Sequence, residues 1–166
     1  MATYDLNRGI TLTKYFDAPP ADVFAAWTEP SLMGWYFNPT TSTDLPATVD
    51  LRVGGEWRIH MVENAERQYM TGGLYSEIVP DRRIAFYWGA REGWPALDVA
   101  KPDESPLVTL DFAPEGAGTR MDFELQLPDG MTAEQADWWM NCGMIPGWHM
   151  TIDRLVAMYA AEVVVR

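Results

Sequence analysis

The sequence predicts an α+β fold: a curved antiparallel sheet of about six or seven strands around a long C-terminal helix, with two short helices after the first strand. Three patterns predict it. Residues 47–127 hold runs that alternate apolar and polar, separated by glycine-bearing turns. Residues 17–39 show helical spacing twice, punctuated by prolines. From Gly147 onward, Trp148, Ile152, Leu155, Tyr159 and Val163 recur at steps of three and four, which makes one apolar stripe on a helix.

The first strand is "ITLTKYF", with Ile10, Leu12 and Lys14 sharing a face. "DAPPADVFAAW" then opens a helix that Asp17 can cap and whose prolines suit a first turn. "TEPSLMGWYFNP" gives a second short helix capped by Thr28 or Ser31, with Leu32, Trp35 and Tyr36 at helical spacing and Pro39 as its end. In "TVDLRVGGEWRIHMVE", Gly54-Gly55 marks a hairpin, and Trp57, Ile59 and Met61 oppose Arg58 and His60. "NAERQ" is a turn, and "YMTGGLYSEIVP" is the next strand. There Gly72-Gly73 calls for a bulge or a close backbone approach.

"RRIAFYWG" aligns Ile84, Phe86 and Trp88. Residues 89–106 form a long loop rich in proline and charge, a length associated with function or mobility. "LVTLDFAP" groups Val108, Leu110 and Phe112, and residues 114–118 turn. In "TRMDFELQL", Met121, Phe123, Leu125 and Leu127 alternate with Arg120, Asp122, Glu124 and Gln126, so one face is buried and one is wet. Thr132 and Gln135 have capping-box spacing ahead of a short helix over 133–142. Pro146 predicts a break, with the last helix covering roughly residues 147–163. That helix is the natural lid for the buried face of the sheet. A cylinder cannot fill a wide concave surface, so a small molecule is expected in the gap.

The 166 residues suit one domain, 1–166, with one sizeable core. A net charge of −12 argues against nucleic acid, whose partners carry a basic stripe, and against anionic membranes. Cys142 is the only cysteine, which excludes an internal disulfide and a cysteine-based zinc site and fits a reducing compartment. "MATYDLNRGITL" lacks a basic region followed by an apolar run, so no signal peptide is expected, and no spanning run is present. The expected location is cytoplasmic.

Four segments in order carry a family resemblance: "FDAPPADVFAAWTEPSLMGWYFNP", "DLRVGGEWRIHM", "GGLYSEIVPDRRIAFYW" and "GWHMTIDRL". Together they span about residues 10–160. They resemble the SRPBCC superfamily (START-like, or birch-pollen-allergen-like), and within it the chain is most similar to the activator of heat-shock-protein ATPase homologue family. The resemblance implies the helix-grip fold, with Gly147-Trp148 at the start of the lid helix. The superfamily includes lipid and polyketide binders and cyclases, with no shared catalytic motif to carry over. The chain departs from the simplest pattern in the 89–106 loop and in "WWMNCGMIP", both expected near the pocket mouth.

No catalytic constellation stands out, and no catalytic residue is assigned. His60 is expected to face solvent, and His149 adjoins Trp148. No HExxH or calcium-loop pattern exists, so no metal is expected. "GAGT" at 116–119 lacks the third glycine of a dinucleotide fingerprint, so no cofactor is expected either. Outward Glu56, Arg58, Glu77 and Asp122 suit cross-strand charge pairing, Asp153 and Arg154 a solvated helix face, and Cys142 a buried inert thiol.

What remains is an aromatic and methionine set directed into the grip. Trp57, Ile59, Met61, Met70, Tyr75, Phe86, Trp88, Phe123, Trp148 and Ile152 are the candidate ligand-binding residues. Each could be core alone; as a set they suit an adaptable apolar pocket. The expected function is binding of a hydrophobic or aromatic small molecule between sheet and helix, with a homodimer left open. The alternatives are a cyclase- or hydrolase-type enzyme using Tyr75, Tyr87 or His149, and a co-chaperone that contacts a heat-shock ATPase by its surface.

Overall fold

The computed structural model describes residues 4–36, 47–62 and 65–159. Among these, seven strands form one curved antiparallel sheet in the order β1-β7-β6-β5-β4-β3-β2. They are β1 (Tyr4–Phe16), β2 (Thr48–Val49), β3 (Glu56–Val62), β4 (Gln68–Val79), β5 (Arg83–Trp88), β6 (Leu107–Glu115) and β7 (Gly118–Pro128). β2 to β7 run as a meander, and β1 closes on β7. α1 (Pro20–Thr28) and a 3-10 helix (Pro30–Tyr36) follow β1, and α2 (Ala133–Asn141) and α3 (Met144–Tyr159) follow β7. The α+β helix-grip class read from the sequence is the observed one. No helix among the described residues is long and apolar enough to cross a membrane.

The alternation in β7 works as expected: Met121, Phe123, Leu125 and Leu127 are fully buried. Val108, Leu110 and Phe112 of β6 join them, and Ile152 and Leu155 of α3 close the core from the other side. Gly116-Ala117 turns β6 into β7, with Gly116 at φ +58° as a tight hairpin requires. β1 starts earlier than the alternation indicated. Its register shifts between Asp5 and Gly9, where a Cβ on Gly9 would strike the Leu125 carbonyl oxygen.

The helix ends hold both confirmations and corrections. Thr132 and Gln135 form the expected capping box: Thr132 Oγ1 accepts from Gln135 N at 3.1 Å, and Gln135 Oε1 accepts from Thr132 N at 3.0 Å. Asp17 does not cap α1; Pro19 holds the N-cap position with Pro20 as first residue. Thr28 does not cap the next helix either, because its hydroxyl donates back to the Phe24 carbonyl at 2.9 Å. The 3-10 helix buries Met33, Trp35 and Tyr36, with Leu32 half-buried. Its expected end at Pro39 lies outside the described residues, as does Val163.

The break before the last helix lies at Cys142-Gly143, not at Pro146. Gly143 adopts φ +95°, and α3 already runs from Met144. Pro146 sits in the first turn, where a backbone N–H would have no intrahelical acceptor, so the ring costs no hydrogen bond. The first intrahelical bond follows it, from Gly147 N to Gly143 O at 3.0 Å.

Candidate functional site

The middle of the grip is full. Trp57, Ile59, Tyr75, Phe86, Phe123 and Ile152, all expected to line a pocket, are buried in the core. Their rings interlock: Trp57 meets Phe86 edge-on at 5.2 Å, and Phe123 meets Trp148 at 5.0 Å. The register seats Gly73 between Trp57 of β3 and Trp88 of β5. A Cβ there would collide with Trp57 Nε1 and the Phe86 ring, so the glycine makes room for large rings on both neighbouring strands. This is the close approach expected at Gly72-Gly73. The bulge itself comes later in β4, between Tyr75 and Glu77.

The open space lies at one end of the sheet–helix interface, where α3 begins. A cavity of about 620 Å³ is walled by Tyr36, Met61, Arg67, Gln68, Tyr69, Thr71, Trp88, Trp94, residues 142–144, Gly147, Trp148 and Thr151. Of the ten sequence candidates, Met61, Trp88 and Trp148 reach this wall. Both unusual segments contribute to it as expected. The long loop supplies Trp94, which packs on Trp88 at 5.3 Å and on Tyr69 at 6.1 Å. Trp94 N also donates to the Met70 carbonyl at 2.7 Å, so the loop continues the pairing of β4 beyond the end of β5. The break between α2 and α3 supplies Cys142, Gly143 and Met144.

Met70 belongs to the opposite face. It pairs with His60, whereas Tyr69 pairs with Met61 and Thr71 with Ile59. Tyr69 and Thr71 are therefore the wall residues of β4, and strand parity counted back from Tyr75 is the signal that finds them. His60 is half-buried on that outer face, and His149 and Tyr87 are half-buried as well. Cys142 is half-buried rather than buried; its thiol donates to the Trp139 carbonyl at 3.3 Å. Gly147 does not bring the backbone against the sheet, because a Cβ there would meet open space. Among the described residues, no three His, Cys, Asp or Glu side chains gather as a metal site.

Two charged groups tie the interior of α3 to neighbouring elements. Lys14 Nζ of β1 reaches Asp153 Oδ1 at 3.1 Å. Arg154 is not solvated as expected. Its Nε donates to the Trp35 carbonyl at 2.7 Å and its Nη2 to the Tyr36 carbonyl at 3.0 Å, serving the last carbonyls of the 3-10 helix. Half-burial lowers its pKa, against the influence of Tyr69. Arg154 thereby anchors Tyr36 in the cavity wall. Of the four outward strand charges, Glu77 pairs across strands with Arg83 at 3.0 Å. Glu56 meets Arg91 of the long loop at 2.9 Å, Arg58 donates to the Arg91 carbonyl at 3.1 Å, and Asp122 meets Arg120 of its own strand at 3.4 Å.

The wall holds two kinds of polar group. Trp88 Nε1 is satisfied by Thr71 Oγ1 at 3.1 Å. The Tyr36 hydroxyl and Trp148 Nε1 are buried with no hydrogen-bond partner, as are the Tyr75 hydroxyl and Trp27 Nε1 in the core behind. Burial raises the pKa of Tyr36 well above the ordinary tyrosine value, and neighbouring Tyr75 adds to the shift. Tyr36 therefore remains a neutral hydroxyl at physiological pH.

A larger groove, about 850 Å³, lies away from the grip between the long loop and α2. Asp103, Glu104 and Asp129 line it beside Trp138, which is 54% exposed. Those carboxylates share its wall with Met131, Trp138, Trp139 and three prolines, whereas the cavity at the start of α3 is lined by no carboxylate.

The fold recurs in solved structures. A protein of Rhizobium leguminosarum is 23% identical with a TM-score of 0.66, covering 96% of each chain. Protein Ms6760 of Mycobacterium smegmatis is 20% identical with a TM-score of 0.71, over 97% of this chain and 96% of its own. CalU16 of Micromonospora echinospora is 21% identical with a TM-score of 0.61, over 98% of this chain and 88% of its own. No curated protein matches the chain. The family model described as "Activator of Hsp90 ATPase homolog 1-like protein" matches residues 17–160, most of the sheet and both C-terminal helices, and the chain belongs to that family.

Proposed function

We propose that the protein binds a hydrophobic or aromatic small molecule in the cavity at the start of α3. The observation that carries this reading is the cavity itself. Its volume of about 620 Å³ falls within the usual range for small-molecule sites, and Trp88, Trp94, Trp148, Met61 and Met144 supply an apolar, adaptable wall. The described residues lining it include no carboxylate and no imidazole, the commonest acid–base groups, which supports binding over hydrolysis or cyclisation. A cytoplasmic setting is part of the same proposal, since Cys142 is a free thiol.

The test is a titration with the neutral dye N-phenyl-1-naphthylamine, followed by its fluorescence. Saturable enhancement at one dye per chain is expected. A signal that rises linearly without saturation would contradict the reading. Native mass spectrometry of freshly purified protein would show whether a ligand co-purifies and whether two copies associate.

The family description favours a second reading, stimulation of a heat-shock ATPase through a surface contact. It needs no cavity. An ATPase assay with and without the protein separates the two, because a cavity mutant would leave such stimulation intact.

A further inference from the structure

The cavity and the groove carry opposite charge. The chain holds 24 acidic residues against 12 lysines and arginines, so a wall of average composition has more carboxylates than cations. The groove beside α2 follows that expectation: Asp103, Glu104 and Asp129 line it, and no lysine or arginine does. The cavity at the start of α3 reverses it. Arg67 lines it, and no aspartate or glutamate does. Apart from glycines, its exposed lining residues are Arg67 and Gln68, which therefore form its solvent side. Glu66, next to them in sequence, lies outside the lining.

A second cation stands behind the same wall. Arg154 is half-buried, and its guanidinium bonds only to neutral oxygens: the Trp35 and Tyr36 carbonyls and, at 3.3 Å, Thr151 Oγ1. Tyr36 and Thr151 are both wall residues. The adjacent Asp153 is engaged by Lys14 of β1 at 3.1 Å, and among the described residues no carboxylate pairs with Arg154. A partly buried charge is screened less than an exposed one, and proteins normally offset it with an opposite charge. Here the field of Arg154 adds to that of Arg67 instead.

We propose that the cavity selects an aromatic acid in its anionic form, with its rings among Trp88, Trp94 and Trp148 and its carboxylate toward the Arg67 side. The proposal rests on the binding reading above and adds the charge of the ligand. The ring-lined walls favour an aromatic frame. Arginine suits a carboxylate because its planar fork matches the two oxygens and its charge persists at physiological pH. Arg154 acts through its field and needs no contact with the ligand. The net charge of −12 makes the claim a sharp one. Without a local positive field, this protein should hold an anion more weakly than a neutral molecule of the same shape.

The experiment compares 2-naphthoate with 2-naphthamide, which has the same frame and nearly the same size but no charge. Affinities come from displacement of N-phenyl-1-naphthylamine on the wild type, Arg67→Gln and Arg52→Gln. Arg52 controls for net charge: it is exposed, it pairs with Asp50, and it precedes Glu56, at the opposite end of β3 from Met61. The wild type should bind naphthoate more tightly than naphthamide. That preference should fall by about fivefold in Arg67→Gln, the upper range for an exposed charge pair, since ring walls exclude water on one side. In Arg52→Gln it should hold within about twofold, because the length of β3 exceeds the screening distance. Raising NaCl from about 0.02 M to about 0.5 M should weaken naphthoate and leave naphthamide unchanged. Three results overturn the proposal while saturable dye binding leaves the binding reading standing. They are an amide bound as tightly as the anion, a preference that falls no further in Arg67→Gln than in Arg52→Gln, and dye that neither compound displaces. Absence of saturable dye binding to the wild type overturns the proposal and the binding reading together.

Discussion

Trp148 packs its ring 5.0 Å from that of Phe123 at the centre of the sheet, while its indole nitrogen, in the same buried ring, has no partner. One residue thus serves as core on one side and cavity wall on the other. Truncation separates the roles. Trp148→Ala removes a ring that is 5% exposed and should cost about 3–5 kcal/mol in urea unfolding. At a temperature where the variant remains folded, its dye affinity should also fall. Wild-type stability with unchanged dye binding would remove Trp148 from both roles.

Two glycines should respond in opposite directions. Gly73→Ala forces a methyl group against Trp57 Nε1 and Phe86 in a packed core, and overpacking of this kind costs about 1–3 kcal/mol. Gly147→Ala meets open space on an exposed helical turn and should stabilise by about 0.4–1 kcal/mol through the unfolded chain. Melting temperatures of the two variants check both signs. A destabilised Gly147→Ala would mean that the backbone there lies close to the sheet, against the open space beside it.

Alkaline pH should expose the buried tyrosines. Burial raises the pKa of Tyr36, with Tyr75 adding, and burial raises that of Tyr75, with Asp50 adding. In the unfolded chain both ionise near the ordinary value of about 10. Above that pH the unfolded state loses protons that the folded state keeps. Their contribution to stability is therefore complete below about pH 10 and is lost as pH climbs toward the raised folded values. Absorbance at the tyrosinate band should show both hydroxyls withheld until the chain unfolds. Tyr75→Phe should lose melting temperature less steeply between about pH 9 and pH 11.5. Full titration of every tyrosine in the folded protein would contradict the burial.

The elements were legible wherever one periodicity dominates. β7 shows strict alternation, and α3 shows steps of three and four, so their inner faces followed directly. Met70 was misplaced because "YMTGG" has apolar residues at adjacent positions and glycines after them. Only pairing with β3 assigns Tyr69 and Thr71 to the inside. Arg154 looked solvated on the helix wheel because its partners, the Trp35 and Tyr36 carbonyls, come from a segment far away in the chain. The gap was expected along the whole grip, but whether rings fill a concave sheet depends on how they interlock, which composition does not encode. Trp57, Phe86 and Phe123 close the middle, and the space moves to the end where the long loop and the α2–α3 break meet.

Cys142, the only cysteine of the chain, stands half-buried in the cavity wall and reports on its occupancy without any substitution. The direct measurement is the rate of Cys142 alkylation by iodoacetamide, read by intact mass across a titration with N-phenyl-1-naphthylamine. If the ligand site is the cavity at the start of α3, the rate falls as dye is added, with the same half-saturation as the fluorescence signal. Saturable dye binding that leaves the alkylation rate unchanged would put the ligand elsewhere and contradict the account.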